Sequence, residues 1–359
     1  MLTRALSLLK TSWSLPLLIA FIAGIHIQAL QPSPIVILVY LALTLITTPE
    51  IELKGLAFIV GIALCGAISY LSHIQPYYDF IRTTQDGPYD ILATVSDIHP
   101  YEHPFLRTKL TLTMHDLRTD AGWATLKGAI DIYLPYTPYL EIDDLIQVNA
   151  LYLTQKNLSY FSLREYCYAT VFPQHLSYLL IEKQRWSPRR WIQKHRRNLY
   201  ERIKQKLTPQ TFGLFSALFL GHKTSETHEY APAFRNWGIS HYLARSGLHL
   251  MIIMLLWNTL LSFLQLSVLT ELIIMISIVG IYTMLSWSSV SFLRALLMWM
   301  GHKLLRLHHL PYTTLDLLIV VAGIVLITNP INLMCLDFQL SFSLTAALIC
   351  AYQAHGQKR

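Results

Sequence analysis

Three apolar runs open the chain, at residues 15–30, 35–46 and 56–71, separated by Gln31-Pro-Ser-Pro34 and Pro49-Glu-Ile-Glu52. A helix needs roughly 20 apolar residues to cross hydrocarbon. The second run reaches that length only with its flanks, so two spans plus a re-entrant segment stand beside a count of three. Run 15–30 has no small-residue cleavage site before a polar segment, which makes it an uncleaved span and not a signal peptide. From residue 79 to 182 the period drops to two. Tyr89-Asp-Ile-Leu-Ala-Thr-Val-Ser, Lys109-Leu-Thr-Leu-Thr-Met-His, Gly128-Ala-Ile-Asp-Ile-Tyr-Leu-Pro135 and Leu145-Ile-Gln-Val-Asn-Ala-Leu-Tyr-Leu153 alternate apolar with polar positions between Gly, Pro and Asp turns. That is the signature of short antiparallel strands, and about five of them suit a small OB-like barrel. Ser187-Pro188 then starts a helix, with Ser as N-cap and Pro at the first helical position. In it Trp191, Ile192, Leu199 and Ile203 fall on one side, and Arg190, Lys194, Arg197 and Lys204 fall off it. Thr208-Pro209 restarts a second, apolar helix over 212–221. From residue 248 the chain is apolar again, with candidate spans at 248–264, 266–285, 292–307, 315–327 and 338–352.

This pattern predicts a polytopic α-helical membrane protein with an inserted β-rich OB-like extracytoplasmic domain. The expected parts are N-terminal transmembrane helices over 1–75, the β domain over 76–182, a basic amphipathic helix with connecting helices over 183–237, and a second transmembrane domain over 238–359. Composition points the same way. Of 359 residues 53% are hydrophobic and 14% charged, with mean hydropathy +0.40, where soluble domains carry about 25% charge. Arg4 and Lys10 place the N-terminus inside, and three spans then put the β domain outside the cytoplasm. The expected location is a membrane, crossed several times. Cys65, Cys167, Cys335 and Cys350 form no CxxC or Cys/His cluster, so neither a metal nor a cofactor is expected.

Charge is unevenly spread. Residues 79–182 hold seven Lys/Arg against thirteen Asp/Glu, a net of minus six. Nucleic-acid surfaces need a basic patch, so the β domain reads more simply as a structural vestibule than as a DNA binder. Residues 183–206 reverse the sign, with ten Lys/Arg and the single acid Glu201. Two readings of Arg189, Arg190, Lys194, Arg197 and Lys204 stand together. They rest on anionic headgroups, with Trp191 at the boundary, or they guide a polyanion.

The sharpest stretch is Gly238-Ile-Ser-His-Tyr-Leu-Ala-Arg-Ser-Gly-Leu-His-Leu250, a polar mouth before Met251-Ile-Ile-Met-Leu-Leu-Trp257. His241, Arg245 and His249 are spaced by four and share one side of a helix. Arg245 cannot shed its charge, so on entering an apolar helix it snorkels, pairs or faces water. Either histidine serves as a pore donor or as a helix–helix hydrogen-bonding group. Ser246 lacks the G-x-S-x-G elbow of a hydrolase, because Ala244 stands two residues before it. Ser246 and Gly247 read as small residues that permit close packing or an unwound turn. Arg294, deep in an apolar run, either pairs with Asp316 or Asp337 or faces a wet path. Gln339 and Ser343 share a helical face at i, i+4, and Asn329-Pro330 ends a helix.

Four ordered stretches carry a resemblance: Gly238 to His249, Arg294-Ala-Leu-Leu-Met298, Thr328-Asn-Pro330 and Asp337-Phe-Gln-Leu-Ser-Phe342. Together they resemble the ComEC/Rec2 family of competence proteins, with Asp337 where the family usually has Gly. Leu220-Gly-His-Lys223 is similar to a further family segment, with His222 in the place of Asp. Asn157-Leu-Ser-Tyr-Phe161 resembles a degraded form of the segment that closes the family's OB-like domain. The resemblance covers about residues 35–352. It implies an inner-membrane channel component for uptake of single-stranded DNA, working beside other competence proteins and membrane lipids. Its implied DNA path is His241, Arg245, Ser246, Gly247, His249, Arg294, Gln339 and Ser343, and it implies guidance and no bond chemistry. Many relatives continue into further helices and a metallo-β-lactamase-like domain. This chain carries no His-x-His-x-Asp-His cluster, so the expectation is a short or divergent form, a fragment, or half of a split gene whose other chain supplies those parts. A non-DNA or lipid-handling transporter, a structural homologue without transport and, less well, a membrane hydrolase stay open.

Overall fold

The computed structural model describes residues 15–30, 53–103, 105–119, 122–154, 159–183, 187–220, 225–237, 247–285 and 290–356. The chain divides into two compact units. One comprises Met1–Ile74, Leu250–Leu272 and Ser289–Arg359, the other Gln75–His249 and Ile273–Ser288.

The second unit is built on six strands: β1 (Gly87–His103), β2 (Leu106–Thr119), β3 (Gly122–Leu134), β4 (Leu145–Leu153), β5 (Cys167–Val171) and β6 (Tyr178–Glu182). Their order is β5-β3-β2-β1-β4-β6, and the β3–β5 pair is parallel while the others are antiparallel. The period-two pattern explains the core. Alternate positions Ile91, Ala93, Val95, Leu110, Leu112, Met114, Ile130, Ile132, Ile146 and Val148 are buried, since successive side chains of a strand point to opposite faces. Register puts Val95 opposite Leu112 and Leu112 opposite Ile130. Helix α1 (Leu15–Leu30) precedes the sheet, as does α2 (Leu53–Thr83), whose Tyr77 and Phe80 pack on the buried Tyr168 with ring centroids 5.6 and 5.7 Å apart. A short α3 (Tyr160–Arg164) leads into β5, and α4 (Pro188–Lys206), α5 (Pro209–Phe215), a π-helical turn (Ser216–Leu220) and α6 (Ser225–Asn236) follow the sheet.

The first unit is helical. It gathers α1, the start of α2, α7 (Gly247–Ser262), α9 (Val290–Leu307), α10 (Thr314–Thr328) and α11 (Leu336–Gly356), with α8 (Val268–Leu285) dividing between the units. Helices α1 and α2 cross closely at Gly24 and Gly66. A Cβ on Gly24 would stand 1.8 Å from the Ala63 carbonyl oxygen, and one on Gly66 2.2 Å from that of Phe21. Thr313 and Asp316 form a reciprocal capping box at the start of α10. Asn329-Pro330 ends that helix as its sequence predicts: the Asn329 side chain accepts from Ile331 N at 3.1 Å and opens a 3₁₀ turn over Pro330–Met334.

The fold class predicted from the sequence is corrected in both parts. Among the described residues no helix is long and apolar enough to cross a membrane. The physical reason is length and interruption. Helices α1 and α7 have 16 residues and α10 has 15, so the longest of them extends about 24 Å against about 30 Å of hydrocarbon. The 31-residue α2 carries Pro76 and a polar second half, and the 21-residue α11 carries Asp337 and Gln339. The five-stranded OB-like barrel is replaced by a six-stranded mixed sheet. The sequence pattern misses β5 and β6 because β5 does not alternate: Cys167, Tyr168 and Ala169 are all buried. The expected run 35–46 lies outside the described residues.

Candidate functional site

The basic helix α4 forms where Ser187-Pro188 predicts it. Ser187 Oγ accepts from Arg190 N at 3.2 Å, and Pro188 fills the first position, where no amide is needed. The same Ser187 hydroxyl donates to Asp143, so the cap also ties the helix to the loop before β4. Arg190 completes the tie. Its Nε donates to Ile142 O at 2.9 Å, and its two terminal nitrogens reach Glu141 at 3.1 Å and Asp144 at 2.5 Å. Asp144 is almost wholly buried and also accepts from Glu141 N at 2.8 Å. Arg190 is therefore an anchor of the helix and not an outward guide.

One turn on, Gln193 donates to Asp97 and, at 3.1 Å, to Ile98 O. Asp97 also holds His99 Nε2 at 2.7 Å. Burial pushes the Asp97 carboxyl up, but the hydrogen bond and charge of His99, the Ile98 amide and the charge of Arg196 outweigh it and leave the pKa below its ordinary value. Burial lowers Arg196, and Asp97 partly opposes that. Farther along, Tyr200, Phe212 and Leu220 form a small core with Ile203, Leu207 and Phe215 around it. Tyr200 and Phe212 meet edge-to-face at 5.0 Å, and Lys204 Nζ lies 5.9 Å over the Phe212 ring. The inward side of α4 thus runs through Gln193, Arg196, Tyr200 and Ile203.

The outward side holds the remaining cations. Arg189, Lys194, Arg197 and Lys204 are exposed, as are Arg202 and Lys206. Among the described residues Arg189, Lys194 and Arg197 make no ion pair. Trp191, predicted on the apolar side, is 54% exposed. Its ring lies 4.1 Å from that of His195, whose Nδ1 is 2.8 Å from the Trp191 carbonyl. Sequence reasoning missed this pair and Arg202. The spacing 191, 195, 198, 202 along one stripe was the available signal. It also missed Asp97 and Asp144, whose part depends on contacts remote in sequence.

The eight residues of the predicted DNA path divide. His241, Arg245 and Ser246 lie outside the described residues, and Gly247 and His249 fall in the first turn of α7. Arg294 sits on α9 against α11. It donates to Ser341 O and Thr345 Oγ1, and its guanidinium lies 6.0 Å from the Phe342 ring centre. Neither predicted acid is its partner: Asp316 belongs to the capping box, and Asp337 Oδ1 accepts from Phe338 N at 2.9 Å. Gln339 and Ser343 share a face as predicted. Ser343 Oγ donates to Gln339 O at 2.6 Å, and Gln339 Nε2 to Leu333 O at 2.8 Å. The structure thus brings Arg294 to the helix that bears Gln339 and Ser343.

No curated protein matches the chain. A family model described as Competence protein matches residues 218–359, so that stretch is similar to the competence domain of the ComEC/Rec2 family.

Proposed function

We propose that the chain is a component of the inner-membrane channel assembly that takes up single-stranded DNA in natural transformation, and that α4 guides the strand by charge. The competence match gives the role in DNA uptake. The observation that carries the finer reading is the outward face of α4, where Arg189, Lys194 and Arg197 are exposed beside the tilted Trp191–His195 ring pair. Exposed cations hold phosphates by releasing counterions, and an open aromatic face stacks bases without regard to sequence. The chain is a guide and not an enzyme: these groups bind and orient a polyanion and leave its bonds intact. Its partners are single-stranded DNA, other competence proteins and lipid headgroups.

Reversing Arg189, Lys194 and Arg197 together to Glu spares the Arg190 anchor. By fluorescence anisotropy on a labelled oligonucleotide at 0.1 M salt, affinity should fall roughly 10- to 100-fold, and the oligonucleotide should be recovered intact. Unchanged affinity sinks the proposal. The exposure of Trp191 favours a second reading, a helix resting on anionic lipid. Lost binding to anionic vesicles with DNA binding retained would select it.

A further inference from the structure

The second unit holds a groove that the DNA reading does not use. It has a volume of about 430 Å³ and lies between the end of β4, the end of β5 and the loop leading to β6. Its polar side chains are Asn149, Thr154, Thr170, His175 and Ser177, and its large rings are Tyr152 and Phe172. Among the described residues no Asp, Glu, Lys or Arg lines it. Tyr152 and Phe172 are 58% and 59% exposed, so each leaves ring surface open to a ligand.

The walls are fixed in advance. Phe172 stacks on Tyr133 at 5.0 Å with 18° between the planes. Tyr136 OH accepts from Leu176 N at 2.9 Å, and Asn149 N donates to Ser177 O at 3.0 Å, which pins the loop to β4. Ala150, on the wall, has φ 51°, with its amide held by Asp90 Oδ1 at 2.9 Å. The β1–β4 register shifts at this point, between Tyr89 and Ile91. Such bulges re-aim neighbouring side chains, and a left-handed Ala costs on the order of 1 kcal/mol, a strain that gathers at binding sites.

The lining selects the ligand class. A phosphate chain finds no cation among the described residues of the groove, in a stretch of net charge minus six. Asn149 Oδ1 already accepts from Gln147 Nε2 at 2.9 Å, but a purely apolar ligand would cover the Asn149 Nδ2, the hydroxyls and the imidazole without pairing them. What fits is a neutral molecule with hydroxyls on its edges and an apolar C–H face, and a pocket of this size is ordinary for small ligands. We infer that this groove binds a neutral saccharide, its ring stacked on Tyr152 or Phe172 and its hydroxyls bonded to Thr154, Asn149 and His175. The site is independent of the DNA guide on α4.

Saturation-transfer NMR on the full chain, with the N-acetylglucosamine trimer and maltotriose as probes, tests it. At least one should bind in roughly the millimolar range, with the largest transfer to ring C–H protons. Tyr152→Ala and Phe172→Ala, both at exposed positions, should each weaken binding at least 5-fold with an unchanged circular dichroism spectrum. Thr154→Val, which removes a hydroxyl and keeps the volume, should weaken it 2- to 5-fold. No transfer from either probe at 10 mM overturns the proposal. So does saccharide binding indifferent to the three variants, or a thymidine oligomer whose binding they abolish.

Discussion

Among the arginines, burial separates anchors from guides where sequence cannot. Arg189 and Arg190 are neighbours of one type on one helix, yet the Arg190 side chain is 16% exposed and meets an Asp144 side chain 2% exposed. Removing one member of a buried pair strands the other, at about 3–5 kcal/mol. Arg190→Leu should therefore lower the urea-unfolding stability of the full chain by that amount, while Arg189→Ala stays within about 0.5 kcal/mol. Equal effects would deny Arg190 its anchoring part. Arg294 gives the opposite case. Its partners are neutral, and Ser341 O keeps the Thr345 hydroxyl at 2.8 Å when the guanidinium is gone. Arg294→Leu should stay within about 1 kcal/mol of the parent, with no rescue needed from Asp337→Leu. A loss above about 3 kcal/mol would instead indicate an ion pair. Both partners of Arg294 lie about fifty residues downstream, a distance no local pattern carries.

The elements were legible in proportion to how local their causes are. The N-cap, the first-turn proline and the period-two core of β1 to β4 are written in adjacent residues, and the structure places them accordingly. The inward side of α4 is not. It is set by Asp97, Asp143 and Asp144, which are distant in sequence and satisfy polar groups of the helix, so Trp191 turns outward. That docking has a pH signature. The Asp97 carboxyl is lowered from 3.8, so the stability it contributes is fully present above about pH 3.8 and is lost as pH falls through the lower folded value. The urea midpoint should drop between pH 5 and pH 2.5, and Asp97→Asn should drop less over the same range. Parallel slopes for the two proteins would remove Asp97 from the link.

Charge divides the whole molecule more sharply than its net of +7 suggests. The acidic stretch 79–182 and the basic stretch 183–206 belong to one compact unit. On the proposed reading, like-sign repulsion from the sheet would keep a phosphate chain on the outer side of α4, so the proposed DNA footprint is bounded by that helix. Its 19 residues extend about 28 Å, room for roughly four to six phosphates of an extended strand. Two consequences follow from that bound. Each neutralised phosphate of a single strand adds about 0.7 to the salt slope, so log affinity against log salt should have a slope of about −3 to −4. Affinity should also rise with oligonucleotide length only to about eight nucleotides, and beyond that grow by the number of ways to place the site. Anisotropy titrations with thymidine oligomers of graded length at several salt concentrations measure both. A slope steeper than about −6, with a footprint beyond about 16 nucleotides, would mean that cations outside α4 share the strand, and a single guiding helix would no longer account for the binding.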